Sequence, residues 1–352
     1  MQRLFITLIL LSLSSAGHAA AVKNLYQAAA PVSSRDAQER ARMTPQLLRQ
    51  VMLKVVGNQS LLDAAPLEPV LQNAEQYLQQ YEYQRTNIAA ADLTRPDQLS
   101  LKLSFDPAAV NAAISDLQLP LWGKVRPDVL VWAVVEKDQQ QRLLGLETAG
   151  QGVFKPLAQA ADARGLPILM PLMDLQDQSA LSVEDIRQLN QAAINQASAR
   201  YGADIVLIAR LTLANTGEAQ IEWQASGKNL AHQWQSQGSL QQALQSGMGQ
   251  LADKMALKYS PLADNSSPAQ RLKLQISNVL DYADFNRLMS YLRQLDLITD
   301  IRVENLGSQQ LDLDIAFRGS ETILQRTLTV GNLLAEDNSF SGNEARQYRL
   351  IP

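Results

Sequence analysis

Apolar and polar positions recur along this chain with two periods, helical and strand-like, and residues 182–213 show both most clearly. Ser182 followed by Asp185 forms a capping-box pattern. Ile186, Leu189, Ala193, Ile194, Ala197 and Tyr201 then fall on one helical face, which predicts a single long helix. Gly202 stands where a left-handed C-terminal residue is wanted, and residues 205–209 form the unbroken apolar run of a buried strand. A long helix dropping into a buried strand is the core of an α/β layer.

The same reading covers the chain on both sides. In residues 22–122, Leu25 and Tyr26 open a strand, and Ser34 caps a helix carrying Leu48, Val51, Met52 and Val55 as far as Gly57. Pro45 lies inside that pattern and is expected to break or kink it. A second helix places Val70, Leu71, Ala74, Tyr77, Leu78 and Tyr81 on one side, and residues 86–98 read as a polar loop. Leu99, Leu101, Leu103 and Phe105 alternate as a half-buried strand, and Pro107 opens a short helix.

Residues 126–259 begin with a buried strand at 129–135, followed by a helix through Phe154, Leu157 and Ala161 that closes at Gly165. Residues 166–173 are apolar, but Pro167 and Pro171 remove ladder donors and place them near a sheet edge. After the 182–213 stretch, Ala219, Ile221, Trp223 and Ala225, then Leu230, His232 and Trp234, alternate around a turn as an antiparallel meander. Ser239 and Gln242 form another capping box before a helix with Leu244, Met248, Leu251 and Met255 inward. Residues 260–270 read as a linker. Residues 271–352 follow a β-α-β-β-α-β order, which is ferredoxin-like. The fold class is therefore multi-domain α/β and α+β: an N-terminal α+β domain at 22–122, an α/β central domain at 126–259 and a ferredoxin-like domain at 271–352. Two or three cores are also what 352 residues lead one to expect.

Residues 1–21 change the picture of where the chain works. Arg3, an apolar stretch and then Gly17-His18-Ala19 follow the order of a secretory signal peptide, with cleavage near Ala19 or Ala21. The apolar stretch is too short to span a bilayer comfortably, and no later stretch is apolar enough to cross one. The expected product is periplasmic, with no integral membrane segment. There is no cysteine, so thiolate zinc sites, redox pairs, cysteine nucleophiles and a lipid-modified N-terminal cysteine are all excluded. The net charge of −4, without a basic run, argues against a nucleic-acid partner.

Candidate chemistry is sparse. His232 is the one imidazole left once His18 departs with the signal; it tests as an acid–base group, against a half-buried hairpin position between Leu230 and Trp234. Asp174, Asp177, Glu184 and Asp185 cluster after an apolar strand and at a helix start, where oxygen ligands hold magnesium or calcium in other proteins. The plainer reading has Asp185 serving the cap, Glu184 complementing the helix dipole and the other two solvating a loop. No nucleophile elbow, phosphate loop or dinucleotide fingerprint occurs. No catalytic residue, metal or cofactor is assigned.

Residues 126–132 (Arg-Pro-Asp-Val-Leu-Val-Trp), 164–172, Tyr201-Gly202-Ala203-Asp204 and 53–58, with the signal-like start, resemble a proteobacterial family of exported proteins known as a domain of unknown function (number twenty sixty-six). More distantly, a helix, Gly-Ala-Asp and a strand followed by a meander resemble the periplasmic domain of curli-secretion lipoproteins, flagellar T-ring proteins and penicillin-binding-protein activators. That resemblance implies a non-enzymatic envelope assembly or accessory factor with an envelope protein partner. The absent lipobox cysteine departs from it. The alternatives are a carboxylate-dependent periplasmic hydrolase and a small-ligand-binding protein.

Overall fold

The computed structural model describes residues 22–86, 98–138, 140–145, 152–228, 230–260, 270–337 and 345–352. The expected signal segment, most of the 260–270 linker and most of the 86–98 loop lie outside these. The described chain builds three sheets with helices packed on them, the multi-domain α/β and α+β class.

The first sheet is antiparallel: β1 (Gln27–Pro31) and β2 (Leu78–Thr86) flank β3 (Gln98–Phe105). Leu25 and Tyr26 stand in the turn just before β1 rather than within it. Helices α1 (Ala37–Val56), α2 (Gln59–Ala64), α3 (Glu68–Gln72) and α4 (Pro107–Asp116) complete the unit. Helix α1 runs uninterrupted through Pro45. A helix-interior proline costs about 3 kcal/mol, whereas each fully buried Leu, Met or Val contributes roughly 1.5–3 kcal/mol. Six of them follow it fully buried, Leu47, Leu48, Val51, Met52, Val55 and Val56, so packing wins. The cap is also shifted: Asp36 is the N-cap residue, and Ser34 Oγ donates to its carboxylate at 2.8 Å.

The helix expected over 70–81 is not one helix. Helix α3 ends at Gln72, a 3-10 turn spans Ala74–Tyr77, and β2 starts at Leu78. Tyr81 satisfies a helical spacing with Tyr77 and Leu78, yet it also alternates with Tyr83, and on β2 the two pair with Leu103 and Leu101. Aromatic side chains suit that pleated surface, and pairing with β3 decides the matter.

The central sheet runs β5 (Gln140–Leu144), β4 (Val129–Lys137), β7 (Ile205–Leu213), β8 (Glu218–Gly227), β9 (Leu230–Ser239), with β6 (Ile168–Leu169) beside the start of β4. Strands β4 and β7 are parallel and the β7-β8-β9 meander is antiparallel, as the alternation predicts. The polar stretch that forms β5 showed no alternation, and only the hairpin with β4 makes it a strand. Helices α5 (Phe154–Asp162) and α9 (Leu240–Tyr259) pack on one face over Val131, Ala133, Leu207 and Ile221. Helices α6 (Leu175–Ala180), α7 (Val183–Arg187) and α8 (Gln191–Ser198) belong to the other face, with Leu130, Trp132, Val134 and Ile208.

The predicted long helix over 186–201 is thus two. The capping box of Ser182 and Asp185 is formed, but Leu189 takes a left-handed φ of 54° and Asn190 starts α8 as a new N-cap. Asn190 binds Asp185 twice, backbone N–H to carbonyl at 2.8 Å and side-chain amide to carboxylate at 2.8 Å, which favours this break over continued helix.

The last sheet runs β11 (Ile298–Leu306), β12 (Gln310–Phe317), β10 (Gln270–Ser277), β14 (Arg346–Leu350), β13 (Leu334–Glu336), with α10 (Tyr282–Gln294) and α11 (Glu321–Leu328). The β-α-β-β-α order holds through α11 and departs from the ferredoxin pattern at its end. After Gly331 (φ 74°) the chain makes the extra edge strand β13, then returns as β14, parallel to β10. That return seats Tyr348 and Leu350 in the core beside Leu274 and Ile276, burial that a single closing strand ending at Glu336 would forgo.

Buried polar contacts join the units. The Arg126 guanidinium, fully buried, donates to the carbonyls of Gly123, Arg164, Gly165, Lys54 and Trp122 at 2.7–3.2 Å and lies 3.9 Å from the Trp122 ring centre. Lys54 reaches Asp162 at 3.0 Å, and Arg164 binds the Gly57 carbonyl at 3.0 Å and Asp253 at 2.6 Å. Asn332 donates to the Gly202 carbonyl at 2.6 Å, tying the last unit to the central one.

Candidate binding face

Alternation along β7, β8 and β9 sends one set of side chains toward α9 and the other outward. The inward set includes Leu207, Ala209, Ile221, Trp223 and Trp234, all buried. The strand register lines up the outward set in three rows: Thr212, Gln220, Gln237; Arg210, Glu222, Gln235; and Ile208, Gln224, Gln233. Over β4 this outer face is covered by α7 and α8, which bury Trp132 against the Ser198 hydroxyl at 2.9 Å. The cover ends at Leu189, leaving the β8–β9 half open.

Two adjoining hollows of about 240 and 350 Å³ occupy that step and share Arg210 and Glu222. Arg210 donates to the Arg187 carbonyl at 2.8 Å and pairs with Glu222 at 2.6 Å across the strands. The Gln233 amide donates to Gln224 at 2.8 Å. A primary amide offers both donors and an acceptor without charge. The amide rows of β8 and β9 are therefore suited to hydrogen-bonding an extended, uncharged backbone; of the charges lining the hollows, Arg210 pairs with Glu222 and Arg187 with Glu184, while Glu136 accepts from the Gln141 amide.

The acidic candidates are brought together only in part. Asp174 caps α6 and takes a two-pronged pair of bonds from Arg200 at 2.8 and 2.9 Å, which hold its carboxyl down at about 2. Asp177, expected to solvate a loop, is instead buried, and accepts from Arg200, the Tyr201 hydroxyl and the Met173 N–H. Burial and then that bond push the Tyr201 hydroxyl up to about 12. These four groups clasp residues 172–177 to the end of α8. Glu184 and Asp185 lie on α7 with other partners: Glu184 binds Arg187 and Gln188, while Asp185 binds Ser182 and Asn190, which lower its carboxyl. No group of three His, Cys, Asp or Glu able to hold a metal occurs among the described residues. His232 stacks on Trp234 with ring centres 5.1 Å apart, and burial followed by the charge of Lys254 lowers its imidazole. That is the hairpin position, on the α9 side of the sheet.

Sequence reasoning passed over a second acidic pair. Asp128 and Asp204 immediately precede β4 and β7, and the parallel register that pairs Val129 with Ile205 sets them side by side. The Asp128 N–H donates to Asp204 at 3.1 Å. Burial, then the neighbouring Asp204, push the Asp128 carboxyl up to about 7; burial outweighs two N–H donors to bring Asp204 to about 6. The usable signal was an acid at the mouth of each of two apolar runs that read as buried neighbours.

Comparison with known proteins finds a family over part of the chain and similar solved structures. Residues 19–123 match a family described as Domain of unknown function (DUF8605), a different family from the one the sequence motifs resemble. No curated protein matches. Among solved structures, the LpoB C-terminal domain from Salmonella enterica is similar over 32% of this chain and 80% of that one, at 15% identity and a TM-score of 0.20. No helix among the described residues is long and apolar enough to cross a membrane.

Proposed function

We propose that this chain is an exported, periplasmic accessory factor of the cell envelope that acts by binding a protein, without turnover, through the open half of its central sheet. The observation carrying this reading is the step at Leu189, where helical cover stops and the amide rows of β8 and β9 begin. The N-terminal export pattern supports the compartment. The hydrolase alternative loses its best group, because the oxygens of Asp174 and Asp177 are already engaged by Arg200, Tyr201 and backbone N–H groups.

A photo-crosslinking residue placed at Gln220 or Gln224 in cells should trap a discrete envelope protein that the same residue at Leu257, exposed on α9, does not. Charge reversal at Arg210 and Glu222 together keeps the pair but inverts the face, and should weaken that adduct. Identical adducts at all three sites, or none at the two face positions, would count against the assignment.

A further inference from the structure

We propose that the free edge of β9 pairs antiparallel with the β9 edge of a second copy of this chain. Among the described residues, strand β9 ends the central sheet, bonded to β8 along its full ten residues and to no further strand. An open edge of that length is a template for another strand, and proteins usually protect one with lysine, proline, inward charge or a short span. Strand β9, Leu-Ala-His-Gln-Trp-Gln-Ser-Gln-Gly-Ser, has none of these.

The charge pattern selects the occupant. Residues 229–252, covering β9 and the first turns of α9, contain no Asp, Glu, Lys or Arg, in a chain with 31 basic and 35 acidic residues. The other edges are charged or short: β1 is uncharged but has five residues and ends in Pro31, and β13 has three with Glu336. Strand β5 carries Arg142, β2 carries Glu82 and Arg85, and β11 carries Asp300, Arg302 and Glu304, the first two paired with each other at 3.0 Å. In a twofold contact each side chain meets its twin or a near neighbour of its twin, so a charged edge repels its own copy. Two copies of a chain with net charge −4 already repel overall. The uncharged strip is where they approach without that cost.

Glutamine strengthens the match. Gln233, Gln235 and Gln237 are exposed and project to one side of the sheet, and each is both donor and acceptor, so the row is complementary to itself in antiparallel alignment. Below the edge, Gln241, Gln242, Gln245 and Ser246 of α9 are exposed and equally neutral. Pairing joins two five-strand paths into one ten-strand sheet and makes the two open faces continuous. The inference rests on the edge and not on what the face binds, so either can fail alone.

Sedimentation velocity of the purified chain beginning at Val22 should show a monomer–dimer equilibrium between about 1 and 100 µM. The doubles Q233E/Q237E and Q233K/Q237K should each weaken the dimer by at least about tenfold through like-charge contact. Thermal melts report whether each double is folded, and mixing the two should restore a heterodimer, which a misfolded variant cannot do. A wild-type chain that stays monomeric at about 100 µM, as one whose edge awaits a different protein would, overturns the proposal. So do like-charged doubles that dimerise as tightly as wild type.

Discussion

Asp204, at the mouth of β7, accepts the backbone N–H of Gly331, 127 residues further on, with both carboxylate oxygens at 3.1 and 3.2 Å. The same carboxylate takes the N–H of Asp128. One side chain therefore registers the two parallel strands and docks the last unit on the central one. Asp204→Ala strands two N–H groups, a loss of about 1–3 kcal/mol. The expected outcome is a lower melting temperature, with hydrogen exchange rising first around residues 330–334.

The same junction makes stability depend on pH. The Asp128 and Asp204 carboxyls sit at about 7 and about 6, above the ordinary aspartate value. A carboxyl raised by folding binds its proton more tightly in the native state, so its contribution is complete below the unfolded value and is lost as pH rises through 6 and 7. The chain should melt higher at about pH 5 than these two groups permit at about pH 8. Asp128→Asn, which has no proton to lose, should flatten that slope; an unchanged slope would remove the pair as its cause.

Arg126 supplies the largest expected single loss. Arg126→Lys keeps the charge but has three donors on one point instead of a planar fork, leaving carbonyls of Gly123, Lys54, Arg164 or Gly165 unmet. A cost of about 3 kcal/mol or more follows, read in chemical denaturation. Arg126→Met, which fills space without charge, should cost less than Arg126→Ala if packing on Trp122 matters.

At Gly247, α9 approaches the sheet closely. A Cβ there would sit 2.3–2.4 Å from the Trp223 indole, which stacks on Trp234 at 5.9 Å between centres. The Gly247 carbonyl meanwhile accepts from the Trp234 indole N–H at 3.2 Å. Gly247→Ala should cost at least about 1–3 kcal/mol and change the near-ultraviolet dichroism of the paired indoles. Ser246→Ala, one residue away and exposed, should stay within about 0.5 kcal/mol.

The clasp around Asp177 separates a structural from a catalytic acidic group. Asp177→Ala removes the acceptor of Tyr201, Arg200 and the Met173 N–H, and should destabilise by about 1–3 kcal/mol. Glu184→Ala, whose partners are exposed on α7, should leave stability nearly unchanged. A hydrolytic activity lost in both with stability kept would reverse the binding proposal.

Elements whose pattern fits one period only were legible from residues alone. The strand at 99–105, the meander and both capping boxes are of this kind, as are the glycines 165, 202 and 331, each with positive φ. Where two periods fit, distant pairing decided: Leu78 and Tyr81 became strand because β3 was available. A local contact, Asn190 on Asp185, cut a helix that periodicity had drawn whole. Strand β5 and the short edge strand β13 carry too little alternation to be seen before their neighbours are placed, whereas Tyr348 and Leu350 mark the last strand, β14, from the residues alone. The candidate acids looked like one group along the chain, and only Arg200 and Tyr201, arriving from the end of α8, divided them. Asp128 and Asp204 were unreadable as a pair until the parallel register of β4 and β7 was known.

The position of Arg126 also orders events in time. Its guanidinium closes on Lys54 and Trp122 behind it and on Arg164 and Gly165 ahead of it. A chain made N-terminus first has its leading hundred residues free well before residue 165 is added. Until then the buried hub lacks two of its five acceptors, so the leading segment stays loosely assembled, accessible to chaperones and proteases, and locks only when the central sheet has followed it.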